Sequence, residues 1–187
     1  RRLLQMAWDR GDYKEVLRLA VDGATHDSNY AGLVNDWHKW ELKVYLQTHD
    51  HAGSLRLYQY FFFNGGRFGE EAYSMENIYG QMKSIVLEDE WNDFVETLIN
   101  EAASSRSHFR MLFIYSQEKM WDRYRDYLRK SPAIHELDDA PEEVWELYKD
   151  ELIQLYTACV KSFFQRASSR IAYCEGVFML RKLIIYG

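Results

Sequence analysis

The sequence predicts an all-α chain of consecutive antiparallel helical hairpins, on three observations. Apolar residues recur at i, i+3, i+4 and i+7 along almost the whole length, only two prolines interrupt 187 residues, and no stretch alternates apolar and polar residues as a half-buried strand would. Proline deletes a backbone donor and clashes with the preceding turn, so its scarcity permits long helices nearly everywhere. About ten helices are expected, arranged as an α-solenoid of tetratricopeptide-like hairpins in which each pair stacks its apolar face on the next.

The first helix places Leu3, Leu4 and Ala7 on one face, and Gly11-Asp12 break it before Tyr13, Val16, Leu17 and Ala20 resume the period. Asp12 is placed to N-cap the second helix, with Glu15 completing an acidic capping box. Trp37, Trp40, Leu42, Val44 and Tyr45 mark a long helix that closes near Thr48-His49-Asp50-His51. Leu55, Leu57, Tyr58, Phe61 and Phe62 form the next, stopped at Asn64-Gly65-Gly66 by a left-handed cap. Tyr79, Met82 and Ile85 lead through Glu88-Asp89-Glu90 into Trp91, Phe94, Val95, Leu98 and Ile99; Met111, Leu112 and Tyr115 lead through Gln117-Glu118-Lys119 into Trp121, Tyr124 and Leu128. Aligning Tyr13, Ser54, Trp91 and Trp121 gives intervals of 41, 37 and 30 residues, which bracket the tetratricopeptide period without matching it.

After Ser131-Pro132, Pro141 suits helix position N1, with Glu142 and Glu143 at the positive end of the dipole. Val144, Leu147, Tyr148, Leu152, Leu155, Tyr156, Cys159 and Phe163 then trace one stripe through a helix of about 25 residues. Ala167-Ser168-Ser169 turn into a closing helix with Ile171, Val177, Leu180, Leu183 and Ile184. One domain over 1–187 is expected, with degenerate hairpins over 1–130 and an acidic turn plus a long closing hairpin over 131–187. A chain of this length buries a sufficient core without metal or disulfide, so no cofactor is expected.

Charge is segregated. Residues 131–151 carry eight acids against Lys149, whereas residues 152–187 carry five bases against Glu175, within a net charge of −6. That balance opposes broad phosphate binding. Cys159 and Cys174 have no framework spacing and read as buried free thiols of a reducing cytoplasm. No apolar run approaches the ~18 residues of a membrane span. Because the chain opens on Arg1 rather than Met, it is expected to be a segment of a larger protein.

Catalytic patterns are missing: no Lys-Ser/Thr follows Gly65-Gly66-Arg67-Phe68-Gly69, no His-Glu-x-x-His helix occurs, and His49-x-His51 lacks a third ligand nearby. A non-catalytic role is expected. Trp37, Trp40, Tyr79 and Tyr115 either line a groove for a peptide or wedge between layers as core. Arg166, Arg170, Arg181 and Lys182 could form one basic surface; a solvated face, or pairing with the acidic 136–151 stretch, is the alternative.

Three segments resemble the helical region C-terminal to the zinc motif of bacterial SWIM zinc-finger proteins: Ala7-Trp8-Asp9-Arg10-Gly11-Asp12-Tyr13; Tyr79-Gly80-Gln81-Met82-Lys83 with Glu90-Trp91; and Arg170-Ile171-Ala172-Tyr173 with Leu180-Arg181-Lys182-Leu183. The family's Cys-x-Cys … Cys-x-His motif is absent, so its zinc binding is not implied. What the resemblance implies is a cytoplasmic scaffold beside a zinc finger, bound to another protein or to another domain of its own chain. The alternative is a nucleic-acid-associated module that supports that finger.

Overall fold

A computed structural model describes residues 2–65 and 71–186, and these residues hold eleven α-helices, one 3-10 helix and no strand. The chain divides into two compact units, Arg1–Asn100 and Glu101–Gly187. This boundary falls inside a helix, 30 residues before the division at 130 expected from the sequence.

The first unit contains α1 (Arg2–Asp9), α2 (Tyr13–His26), α3 (Ala31–Gln47), α4 (His51–Asn64), a 3-10 helix (Glu71–Tyr73), α5 (Met75–Ile85) and most of α6 (Trp91–Ser104). From α1 to α5 each helix packs on the next. Leu4, Ala7, Val16 and Val44 form a buried cluster against which Trp8, Tyr13, Leu17 and Trp37 pack. Leu57, Tyr58, Phe61 and Phe62 of α4 and Ile78, Tyr79 and Met82 of α5 continue the core. Each large side chain buried this way contributes about 1.5–3 kcal/mol, several times the differences in intrinsic helix propensity. Packing therefore decides where these helices sit.

One turn recurs. Gly11, His49, Arg106 and Lys119 adopt left-handed φ of 71°, 54°, 53° and 54°. The following N–H in each case bonds the carbonyl five residues back: Asp12 to Ala7, Asp50 to Tyr45, Ser107 to Ala102 and Met120 to Tyr115, at 2.8–3.0 Å. This is a Schellman closure, and the residue after the left-handed one is in each case the N-cap of the next helix. Asp12 caps α2 through Glu15 N–H at 3.2 Å, as expected, but the Glu15 carboxylate turns to Arg18 and completes no capping box. Gly65 ends α4 in the right-handed region rather than as a left-handed cap; Gly66 to Gly69 lie outside the described residues.

Close helix pairs share a second device, a glycine facing an aromatic ring. A Cβ on Gly23 would meet Trp37 at 2.5 Å, on Gly53 would meet Tyr45 at 2.6 Å, and on Gly176 would meet Phe164 at 2.4 Å. The rings fill the space that a side chain at the glycine would need.

The second unit contains the end of α6, then α7 (His108–Gln117), α8 (Trp121–Lys130), α9 (Ile134–Asp138), α10 (Glu142–Arg166) and α11 (Arg170–Tyr186). Leu112, Ile114, Tyr124, Leu128, Leu137, Leu152 and Tyr156 make its core. Pro141 is the N-cap of α10 rather than N1. The 25-residue span holds two helical segments, because Tyr148 is non-helical (φ −127°, ψ 26°). The Tyr148 side chain is held at the break by α8: its hydroxyl donates to Asp122 at 2.9 Å and the Arg125 guanidinium lies 4.7 Å from its ring. The break shifts the phase of the stripe, so Leu147 is 60% exposed while Val144 and Leu152 are buried.

Candidate functional site

The four aromatics that could line a groove or wedge between layers, Trp37, Trp40, Tyr79 and Tyr115, all pack against neighbouring groups. Tyr79 and Tyr115 are 3% and 8% exposed, and Tyr79 meets Trp91 edge-on at 5.4 Å. Trp37 is half-buried, with its indole N–H donating to Asp27 at 2.8 Å. Trp40 meets Trp8 edge-on at 6.2 Å, and Lys43 covers both rings. Large rings here lock neighbouring helices, the wedge alternative of the sequence reading.

The four basic residues do not make one cationic patch. Lys182 is paired with Asp138 at 2.7 Å, so for this residue the acidic 136–151 stretch is the partner. Arg166 folds back on Ser162 at the end of α10, and Ser168-Ser169 separate it from α11. Arg170 and Arg181 share a side of α11 but stand three turns, about 16 Å, apart.

His49 is the left-handed residue of the α3–α4 turn, and the Asp50 side chain caps α4 through Gly53 N–H at 2.8 Å. Among the described residues no group of three or more His, Cys, Asp or Glu side chains could hold a metal ion, and no helix is long and apolar enough to cross a membrane. Cys174 is exposed, contrary to expectation; Cys159 is half-buried, its thiol 3.6 Å from the Pro132 carbonyl and pushed up in pKa by burial.

Two features went unforeseen. The first is a polar cluster within the α3–α4 core, where Glu41 is 2% exposed and its carboxylate lies 2.8 Å from His38 Nδ1 and 3.6 Å from Arg56. Beside it the Tyr60 hydroxyl donates to the buried Asn35 at 2.9 Å, and the Tyr60 ring meets His38 edge-on at 4.5 Å. The spacing of Asn35, His38 and Glu41 by three was the available signal, since it puts three polar groups on one helical face.

The second is a cavity of about 560 Å³ in the second unit, built from the start of α7, from α8 and from the segment leading through α9 to Pro141. Leu112, Phe113 and Pro141 supply apolar wall, and Phe109, 71% exposed, adds a free ring. Tyr124, itself 3% exposed, lines the cavity. Its phenol is pushed up to about 12 by burial and by the negative charges of Asp139 and Glu136. The Tyr127 hydroxyl donates to Glu136 Oε1 at 2.9 Å and fixes that carboxylate. Arg106, His108 and His135 also line the space. Size, apolar walls and a few convergent polar groups are the ordinary attributes of a binding pocket.

α11 is exposed to an unusual degree for its composition. Gly176 is its buried contact with α10, whereas Ile171, Phe178 and Ile185 on one flank and Tyr173, Val177, Leu180 and Ile184 on the other are 40–79% exposed.

No family model, no curated protein and no solved structure matches the chain.

Proposed function

We propose that this chain is a non-catalytic helical-repeat scaffold for protein–protein or intramolecular interaction, working in the cytoplasm as part of a larger SWIM zinc-finger-like protein. The observation that supports this reading best is α11. Seven large apolar side chains that stay 40–79% exposed on one helix are far from the scattered single residues of an ordinary surface and have the character of an interaction site. The all-α helical fold is compatible with a solenoid, in which helical hairpins stack by covering the apolar face of the last pair with the next.

The nucleic-acid alternative needs a converged basic surface, and with Lys182 paired to Asp138 the four bases offer none. Affinity capture with this chain and with the Phe178→Glu/Ile185→Glu double variant as parallel baits, nuclease added to both, tests the scaffold reading. A protein retained by the first bait and lost by the second, with equal helicity by circular dichroism, is the expected result. Equal retention by both baits, or retention that disappears with nuclease, would refute it.

A further inference from the structure

We propose that the cavity beside α7, α8 and α9 binds a primary ammonium or guanidinium carried on an apolar stem, the chemistry of a lysine or arginine side chain presented by a partner peptide.

The first ground is a phenol that opens on the cavity. Tyr124 is 3% exposed and lines the cavity, and its hydroxyl makes no hydrogen bond to another described residue. A buried phenol usually finds a partner. That oxygen is not sealed off, Trp91 Nε1 being the one buried side-chain N or O atom without a partner among the described residues, so a ligand in the cavity can reach it.

The second ground is charge. Glu136 and Asp139 both line the cavity, and neither is in an ion pair among the described residues. Tyr127 occupies Oε1 of Glu136 and leaves Oε2 free. Asp138, between them in sequence, is instead fully engaged by Lys182 and by the Tyr156 hydroxyl. Two carboxylates without cations, close enough to Tyr124 to raise its pKa, set a negative potential where the phenol oxygen also accepts. An N–H-rich cation is the ligand that answers all three acceptors at once.

The third ground is shape. Leu112, Phe113 and Pro141 give the methylene stem of a basic side chain an apolar wall, and Phe109 offers an exposed ring to a cation. About 560 Å³ holds such a side chain with part of its backbone. Arg106 is the opposing charge; it sits exposed on the left-handed turn before α7. That opposition provides a test of sign, because removing Arg106 should tighten a cation and loosen an anion.

The inference rests on the scaffold reading only for the source of the ligand, and its residues are separate from the exposed flanks of α11. Three probes are titrated into the purified chain while the Tyr124 ring resonances are followed by NMR: an uncharged-flank pentapeptide with one central lysine, its Nε-acetylated copy, and hexylammonium. Saturable shifts with the lysine peptide and none with the acetylated copy are expected. Glu136→Gln and Asp139→Asn should each weaken binding about tenfold, as for loss of a charge-assisted hydrogen bond, Tyr124→Phe should weaken it several-fold, and Arg106→Ala should tighten it. The Phe178→Glu/Ile185→Glu variant should bind unchanged, which separates this site from the fate of the α11 proposal. Equal binding of the acetylated peptide, or weaker binding by Arg106→Ala, would overturn the site; hexylammonium binding as tightly as the peptide would keep the ammonium chemistry and overturn its assignment to a peptide.

Discussion

Helices α4 and α11 are rich in the same residue types, and the chain treats them in opposite ways. α4 buries Leu57, Tyr58, Phe61 and Phe62 below 7% exposure between α3 and α5. Among the described residues α11 packs mainly on α10, and leaves Phe178 and Ile185 61% and 79% exposed. The difference teaches that composition reports the capacity of a helix to be covered, and its neighbours report whether that capacity is used.

The largest effect tests that contrast directly. Phe62→Ala should cost about 3–5 kcal/mol in urea unfolding, whereas Phe178→Ala should stay within about 0.5 kcal/mol; equal losses would mean that the exposed face of α11 is packed in solution. Next comes the polar interior beside α4. His38→Ala leaves the nearly inaccessible Glu41 carboxylate with Arg56 at 3.6 Å as its remaining charged partner, and should cost about 2–3 kcal/mol. Glu41→Leu, which removes the charge instead of stranding it, should cost less, and the reverse order would show that the cluster is not held by desolvation.

Asp138→Ala probes the α11 side. It removes the acceptor of the buried Tyr156 hydroxyl at 3.1 Å and the ion pair with Lys182 at 2.7 Å. A loss of about 1–2 kcal/mol is expected, with faster amide exchange in α11; an unchanged exchange pattern would show that the Asp138 contacts do not hold α11. The smallest effect is a gain. His49→Gly and Lys119→Gly relieve left-handed backbone, and each should stabilise by about 0.5–1 kcal/mol after the entropy of the unfolded glycine is counted. Gly11→Ala, at the turn that already has the right residue, should lose a similar amount.

The helical class was legible because a 3.6-residue period survives local noise, and the turns at 11–12, 48–51 and 117–119 fell where it lapses. The Schellman closures were hidden, since three of the four left-handed positions hold His, Arg and Lys instead of glycine. The break at Tyr148 left no mark either: no proline or glycine lies within a turn of it, and its cause is a contact with α8. α9 is five residues long, too short to display a period. The cavity could not be read from spacing, because Phe109, Tyr124 and Asp139 belong to three separate segments and only the tertiary fold brings them to one space. The aromatic residues left two readings open for a physical reason: a ring seats a neighbouring helix as well as it seats a ligand.

The repeated Schellman turn also has a consequence for how the chain reaches this state. A turn that closes one helix and caps the next with two adjacent residues is local, and from α1 to α5 the contacts it serves join helices that follow one another in sequence. Little loop entropy has to be surrendered before such contacts are rewarded. The first unit is thus built of sequence-local helix contacts, and should fold on the sub-millisecond to millisecond scale typical of helical proteins, which stopped-flow fluorescence would check.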